Sequence, residues 1–379
     1  MKTLQILPLC FLWLFTQSAI AVAKPVPKQP DIKADSFILM DFDSGRILAE
    51  KDPDKPVEPA SITKLMTGYL VDKALAAGDI AESDQVKISE KAWRMKGSKM
   101  FIEVGKEVSV EDLIKGMVIQ SGNDATVALA EHVAGSEQAF AEYMNHQAAL
   151  LGMGNTQFRN STGWPAEDHY STARDIALLS QAKIRDFPEN YRHYREKEFT
   201  FNDIRQFNRN RLLWRDESVD GLKTGHTEAA GYCLASSAKR GDMRLIAVVL
   251  GTDSDNARTQ SSQTLLNYGF RFFETQRLYQ ANEVLKTARV WYGDREQLTL
   301  GVAEDIYITI PRGRYKELDA SIEIDPRIAA PVAQGQELGQ LNVRLDDEII
   351  ATQPLIAMQT VNDGGMLRRA MDSIKLMFQ

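Results

Sequence analysis

The sequence predicts a mixed α/β domain, followed by a smaller β-rich domain and a short terminal helix. Three observations carry this reading. Strand-like segments occur early and again late in residues 34–277, helix-periodic segments lie between them, and beyond residue 278 short apolar runs alternate with turn residues. A length of 379 residues suffices for two ordinary domains, and 44% hydrophobic with 26% charged residues is a globular composition. That composition excludes a disordered, collagen-like or coiled-coil chain. With 45 Lys and Arg against 52 Asp and Glu the formal charge is -7. This disfavours a whole-surface hold on nucleic acid, so any anion site must be local.

Taken in order, Lys2 precedes an uncharged, mostly apolar run over residues 4–23 that exits through Ala21, Val22 and Ala23, small-x-small, before Lys24. This is the pattern of a cleaved secretory signal, residues 1–23. A retained membrane helix is the alternative that about 20 apolar residues allow, weakened by Pro8, Gln17 and Ser18 inside the run. Cys10 would leave with the signal, and Leu9 before it does not suit a lipid attachment site. Cys233 would then be the one cysteine of the exported chain, unable to form an internal disulfide. Between Tyr232 and Leu234 it reads as a small buried hydrophobe.

Residues 24–33, with Pro25, Pro27 and Pro30, read as a stiff polar linker. A hairpin follows over 37–42 and 47–49, turned at Asp43, Ser44 and Gly45. Ile62, Leu65, Met66, Tyr69 and Leu70 recur at helical spacing, and further helices are expected over 110–119, 125–133, 140–151 and 172–182. From Val219 the texture becomes strand-like, with strands over 232–238 and 245–250 and a helix through Leu265, Leu266 and Phe270. Short strands at 290–292, 306–310, 321–324, 341–345 and 349–352 make residues 278–362 a β-rich domain.

Three short motifs stand in this framework: Ser61-Ile62-Thr63-Lys64, Ser121-Gly122-Asn123 and Lys223-Thr224-Gly225. Each alone is weak, since a Ser-x-x-Lys arises by chance about once in a chain this long. The first opens a helix, where an i, i+3 step puts hydroxyl and amine on one face. A serine becomes a nucleophile only when something takes its proton, and lysine can do so only when burial or neighbouring cations make it neutral. In isolation the same residues read as a helix cap beside a solvated lysine. The third motif lies in a strand-like segment, where Gly225 would let a substrate backbone approach an edge while Lys223 and Thr224 offer a cation and a hydroxyl to a carboxylate. In isolation it is an ordinary polar strand end.

Residues 59–67 (Pro-Ala-Ser-Ile-Thr-Lys-Leu-Met-Thr), 121–125 (Ser-Gly-Asn-Asp-Ala) and 220–227 (Asp-Gly-Leu-Lys-Thr-Gly-His-Thr) extend the three motifs. So do Arg271, Phe272, Phe273, Glu274 and residues 310–314 (Ile-Pro-Arg-Gly-Arg). Together they resemble the low-molecular-mass penicillin-binding proteins of the D-alanyl-D-alanine carboxypeptidase type, the penicillin-binding protein 5 and 6 group, from about residue 34 to the C-terminus. The resemblance implies a β-lactamase/transpeptidase-like catalytic domain over residues 34–277, with an antiparallel sheet and a helical subdomain. It implies a hydrolase that needs no cofactor, takes peptidoglycan stem peptides as substrate and is acylated by β-lactam antibiotics. Carried over, Ser61 is the nucleophile, Lys64 its base, and Ser121 passes a proton toward the leaving amine. Asn123 holds Lys64 and the substrate amide, and Lys223, Thr224 and Gly225 bind the terminal carboxylate side. His226 contributes its main-chain N–H to the oxyanion site with that of Ser61, a role for its ring as base being the alternative. Arg258 corresponds to an arginine that helps bind the carboxylate, a solvated arginine at a helix start being its plain alternative.

A class A β-lactamase would carry Glu-x-x-Leu-Asn between the second and third motifs, whereas Glu167 is followed here by Asp168, His169 and Tyr170. Slow release of penicillins is therefore expected. A β-lactamase, a DD-endopeptidase and a low-turnover wall-binding or shape-maintenance protein are the competing readings. Five histidines and one exported cysteine show no zinc-like spacing, so no metal is expected.

In the tail, residues 363–379, Met366, Leu367, Ala370, Met371, Ile374, Met377 and Phe378 fall on one helical face, with Arg368, Arg369, Asp372, Ser373 and Lys375 mostly opposite. Such a helix, about 21 Å long, is too short to span a bilayer core but suits its interface. Packing against the β domain is the alternative. The family's habit favours the membrane, which puts the protein on the periplasmic face of the inner membrane as a peripheral, exported protein.

Overall fold

The computed structural model describes residues 26–377. The expected signal at residues 1–23 with Cys10, and Phe378 at the other end, lie outside the described residues. At the centre is a five-stranded antiparallel sheet in the order Ile47–Lys51, Ser36–Asp41, Met243–Thr252, Gly231–Arg240, Val219–Thr227. The first hairpin therefore pairs with a strand from more than 200 positions later, Met243–Thr252. Residues 245–250 of the middle strand are fully buried, which is why that strand reads as a continuous apolar run without alternation.

One face is covered by the helix Asp255–Phe272, whose Leu265 and Leu266 pack with Leu39, Leu245 and Val249. The other carries the helices Lys64–Ala77 and Ala173–Asp186, which join it to a helical subdomain of Val110–Lys115, Asn123–Ala134 and Glu137–Leu150. Side-chain caps start several of these helices: Thr172, Ser136 and Ser254 accept from the N–H groups of Asp175, Ala139 and Ala257, each such cap contributing about 1 kcal/mol. The helix expected over 110–119 is α-helical only to Lys115. It then widens into a π-turn over Gly116–Gln120 that ends on Ser121 in the left-handed conformation, φ 64°.

The described part of the proline-rich lead-in, residues 26–33, forms no helix or strand but is not free of the domain. Gln29 exchanges two hydrogen bonds with the Glu50 backbone, Tyr268 donates to the Pro27 carbonyl, and Ile32 is buried. Pro27 and Pro30 constrain the backbone, and the edge of the sheet supplies the partners. Cys233 is buried as expected, and burial pushes its thiol up to about 11, away from reactivity.

The second region comprises a two-stranded ladder, Phe273–Tyr279 with Ile306–Pro311, and a six-stranded sheet that includes Glu337–Leu345 and Glu348–Ala357. Val284–Trp291 and Gln297–Gly301 form a hairpin that is longer than the run expected at 290–292. The two regions meet through polar contacts. Ser44 and Thr309 hydroxyls lie 2.6 Å apart, Arg46 donates to the Thr309 carbonyl at 2.6 Å, and Thr275 donates to Asp41 at 2.6 Å. The tail forms the helix Gly365–Leu376, with Asp372 fully buried against the β sheet and accepting from the Tyr292 N–H at 2.8 Å. Arg368 pairs with Glu296 at 2.8 Å. Among the described residues no helix is long and apolar enough to cross a membrane.

Candidate active site

Ser61 lies in the single helical turn Ala60–Thr63 that leads into Lys64–Ala77, so hydroxyl and amine point the same way one turn apart. Lys64 Nζ is 2.9 Å from Ser61 Oγ, 2.7 Å from Asn123 Oδ1 and 2.8 Å from the Thr162 carbonyl. Three acceptors match an ammonium. When the amine is neutral its lone pair instead receives the Ser61 O–H, which is the arrangement of a nucleophile and its base. Lys64 is 1% exposed. Burial, aided by Arg209 and opposed by Asp124, lowers its pKa to about 7, which brings the free amine within reach near neutral pH.

The second motif arrives from the π-turn. Its left-handed Ser121 receives a hydrogen bond from Lys223 Nζ at 2.8 Å, and Asn123 begins the next helix. Asn123 gives its oxygen to Lys64 and one N–H to the Lys96 carbonyl at 2.6 Å. One N–H remains for substrate.

The third motif occupies the sheet's edge strand, Val219–Thr227, which pairs on one side with Gly231–Arg240. Lys223 is 2% exposed, and its pKa falls well below the ordinary lysine range through burial first and then the charges of Lys64, Arg209 and Arg258. Gly225 is closely packed on one side. A Cβ there would meet Ile62 Cγ1 and the Pro59 carbonyl, both at 3.0 Å. The missing side chain lets the strand press against the protein's own nucleophile turn, and Gly225 also lines the cavity beside Ser61. The His226 ring is exposed and lies tilted over Tyr232, ring centres 4.1 Å apart.

Arg258 stands in the first turn of Asp255–Phe272 but is not solvated. It is 6% exposed, donates to the Gly225 carbonyl at 2.9 Å and pairs with Asp255. Arg209 was not expected from sequence. It lies in a segment without periodicity, and its Nε is held by the Gln120 carbonyl at 3.0 Å. Two other contributors are equally silent in sequence: the Thr162 carbonyl on Lys64, and Asp124, which receives the N–H groups of Met100, Phe101 and Ile102.

Ser61 opens on two cavities. One, of about 990 Å3, is lined by Ser121, Thr224, Arg209 and Arg258, two hydroxyls and two guanidinium groups of the kind that suit an anion. The other, of about 650 Å3, is lined by Asn123, Thr162, Trp164 and Thr227. Among the described residues no group of three or more His, Cys, Asp or Glu side chains is placed to hold a metal ion.

Comparison with known proteins agrees with this geometry. Residues 23–254 match the D-alanyl-D-alanine carboxypeptidase family, and residues 273–363 match the C-terminal domain of penicillin-binding protein 5. The D-alanyl-D-alanine carboxypeptidase DacC of Escherichia coli is 46% identical over 376 residues, covering 97% of this chain and 94% of that protein. Penicillin-binding protein 5 from Haemophilus influenzae superposes with a TM-score of 0.87 at 44% identity, over 89% of this chain and all of that one. Penicillin-binding protein D2 from Listeria monocytogenes, solved with ampicillin bound, superposes with a TM-score of 0.59 at 30% identity over 64% of this chain and all of that one.

Proposed function

The chain belongs to the D-alanyl-D-alanine carboxypeptidase family, and on that premise we propose how its residues divide the work of a serine DD-carboxypeptidase acting on peptidoglycan stem peptides. Ser61 attacks the carbonyl between two terminal D-alanines while neutral Lys64 takes its proton. The oxyanion rests on the main-chain N–H groups of Ser61 and His226. The C–N bond breaks, Ser121 relays a proton to the departing amine, and Lys223 beside it keeps that hydroxyl oriented. The leaving D-alanine carboxylate sits against Thr224, Arg209 and Arg258, which places the acyl part of the peptide in the Trp164 cavity. Water then cleaves the Ser61 ester with Lys64 again as base.

The observation that carries this is a buried lysine amine 2.9 Å from a half-exposed serine hydroxyl, with its proton affinity lowered to about 7. Wild-type protein is expected to release D-alanine from a pentapeptide and to form a penicillin adduct, persistent in intact mass, that maps to Ser61. Absence of both would remove the assignment, and rapid penicillin turnover without an adduct would make the protein a β-lactamase.

The rest of the proposal concerns place. Residues 34–277 form the catalytic domain and 278–362 the β-rich domain, with the strand Phe273–Tyr279 as the seam between them. The chain is exported by its N-terminal segment and held at the periplasmic face of the inner membrane by its last helix. Supporting this, Met366, Leu367, Met371, Ile374 and Met377 are all exposed, Met366 at 89%, while buried Asp372 fixes the opposite side to the sheet. The tail thus packs on the β domain by its polar side and offers its apolar side outward. A chain ending at Asn362 is expected to leave anionic liposomes that retain the full chain on flotation. Equal retention of both would refute the anchor.

A further inference from the structure

Residues 157–170 form a loop closed at its base by paired backbone bonds between Gln157 and Tyr170. Its tip covers Lys64, giving it the Thr162 carbonyl, while the neighbouring Ser161 carbonyl accepts from Thr67 at 2.6 Å. Gly163 lies against the Ala60 carbonyl. One side chain of the loop reaches into the nucleophile motif itself. His169, 4% exposed, places Nε2 3.0 Å from the Thr63 hydroxyl, between Ser61 and Lys64 in sequence. Its Nδ1 accepts from the Arg159 N–H at 3.2 Å, so the ring proton sits on Nε2 and is donated to Thr63.

We propose that His169 is a positioning residue that latches this loop over the nucleophile turn and so keeps water away from the Lys64 amine. The proposal rests on the role of Lys64 as base given above. Its physical content is that the proton affinity of Lys64 is lowered chiefly by burial, and the loop supplies that cover. The charged groups around Lys64 are Asp124, Arg209 and Lys223, all from other elements. Around His169 stands Arg159, itself paired with Asp168 at 3.3 Å. None of these changes when the latch is cut, so the effect should travel through hydration alone. Burial, then Arg159, holds His169 down to about 4. The latch is therefore a neutral ring throughout the working range, and protonation would set a second N–H against that of Arg159.

The test is the pH dependence of acylation of full-length protein by a β-lactam, followed by adduct mass. Wild type is expected to lose rate below a midpoint near 7, as Lys64 takes up a proton. In His169→Ala the midpoint should rise by about one pH unit, lowering the rate at pH 7 about fivefold while leaving it nearly unchanged at pH 9. His169→Gln, whose amide can accept from Arg159 and donate to Thr63, should restore the wild-type midpoint. Thr63→Val, cutting the same bond from the other side, should shift it as His169→Ala does. A loss that is uniform across pH, or an unshifted midpoint in both cut variants, overturns the latch. If wild type forms no adduct, the assignment of Ser61 falls first and this inference with it.

Discussion

Ser61→Ala is expected to lower D-alanine release by at least about 10^4-fold while leaving the fold intact. The hydroxyl makes one strong contact, with Lys64, and Lys64 keeps its other two acceptors at Asn123 and Thr162. Stability should therefore change by no more than about 1 kcal/mol. What is lost is the atom that becomes the ester oxygen, and nothing beside it can replace that bond. The cationic wall at Thr224, Arg209 and Arg258 is untouched, so pentapeptide binding by calorimetry should persist as turnover disappears. The penicillin adduct should vanish from the mass spectrum. A variant that keeps a hundredth of wild-type turnover would show that another group is the nucleophile.

Gly163→Ala should damage both stability and catalysis. The glycine has φ +81°, and a Cβ there would lie 1.7 Å from the Ala60 carbonyl oxygen and 2.8 Å from Thr63 Oγ1. The obstacle is backbone of the nucleophile turn, which cannot rotate aside as a flexible side chain could. Left-handed strain of about 1 to 2 kcal/mol and overpacking of about 1 to 3 kcal/mol together predict a loss near 3 kcal/mol on denaturant unfolding. Because the turn carries Ser61, acylation by a β-lactam should fall about a hundredfold even in the folded fraction. Wild-type acylation in this variant would mean that the loop and the turn need not touch.

The contrast between these two sites shows what could be read from the chain alone. Ser61, Lys64, Ser121, Asn123, Lys223 and Thr224 sit in three short motifs that are weak taken singly, and what marks them in the sequence is the resemblance of the extended segments 59–67, 121–125 and 220–227 to the carboxypeptidase family. Their convergence follows from the sheet, whose first and last strands pair across the inserted helices. Arg209 was hidden because no period surrounds it, and its position is set by the Gln120 carbonyl. The Thr162 contribution is a backbone oxygen, which residue identity does not announce. His169 stood out only as a departure from the Glu-x-x-Leu-Asn pattern, with no sign of what it holds. At Gly225 the close neighbour is the Pro59 carbonyl, a contact made only in the folded chain. In the tail, amphipathicity was plain, but nothing in the heptad of apolar positions tells that Asp372 is buried to receive the Tyr292 N–H.

Two amines lie at the floor of the cleft, Lys64 and Lys223, both deprived of solvent and crowded by guanidinium groups. The guanidinium groups of Arg209 and Arg258 line the same groove, which favours a ligand that ends in an anion. A strand running on through an ordinary amide brings no such terminus. Such a groove would tell the tip of a peptide from its interior by charge, with no wall needed to block the way.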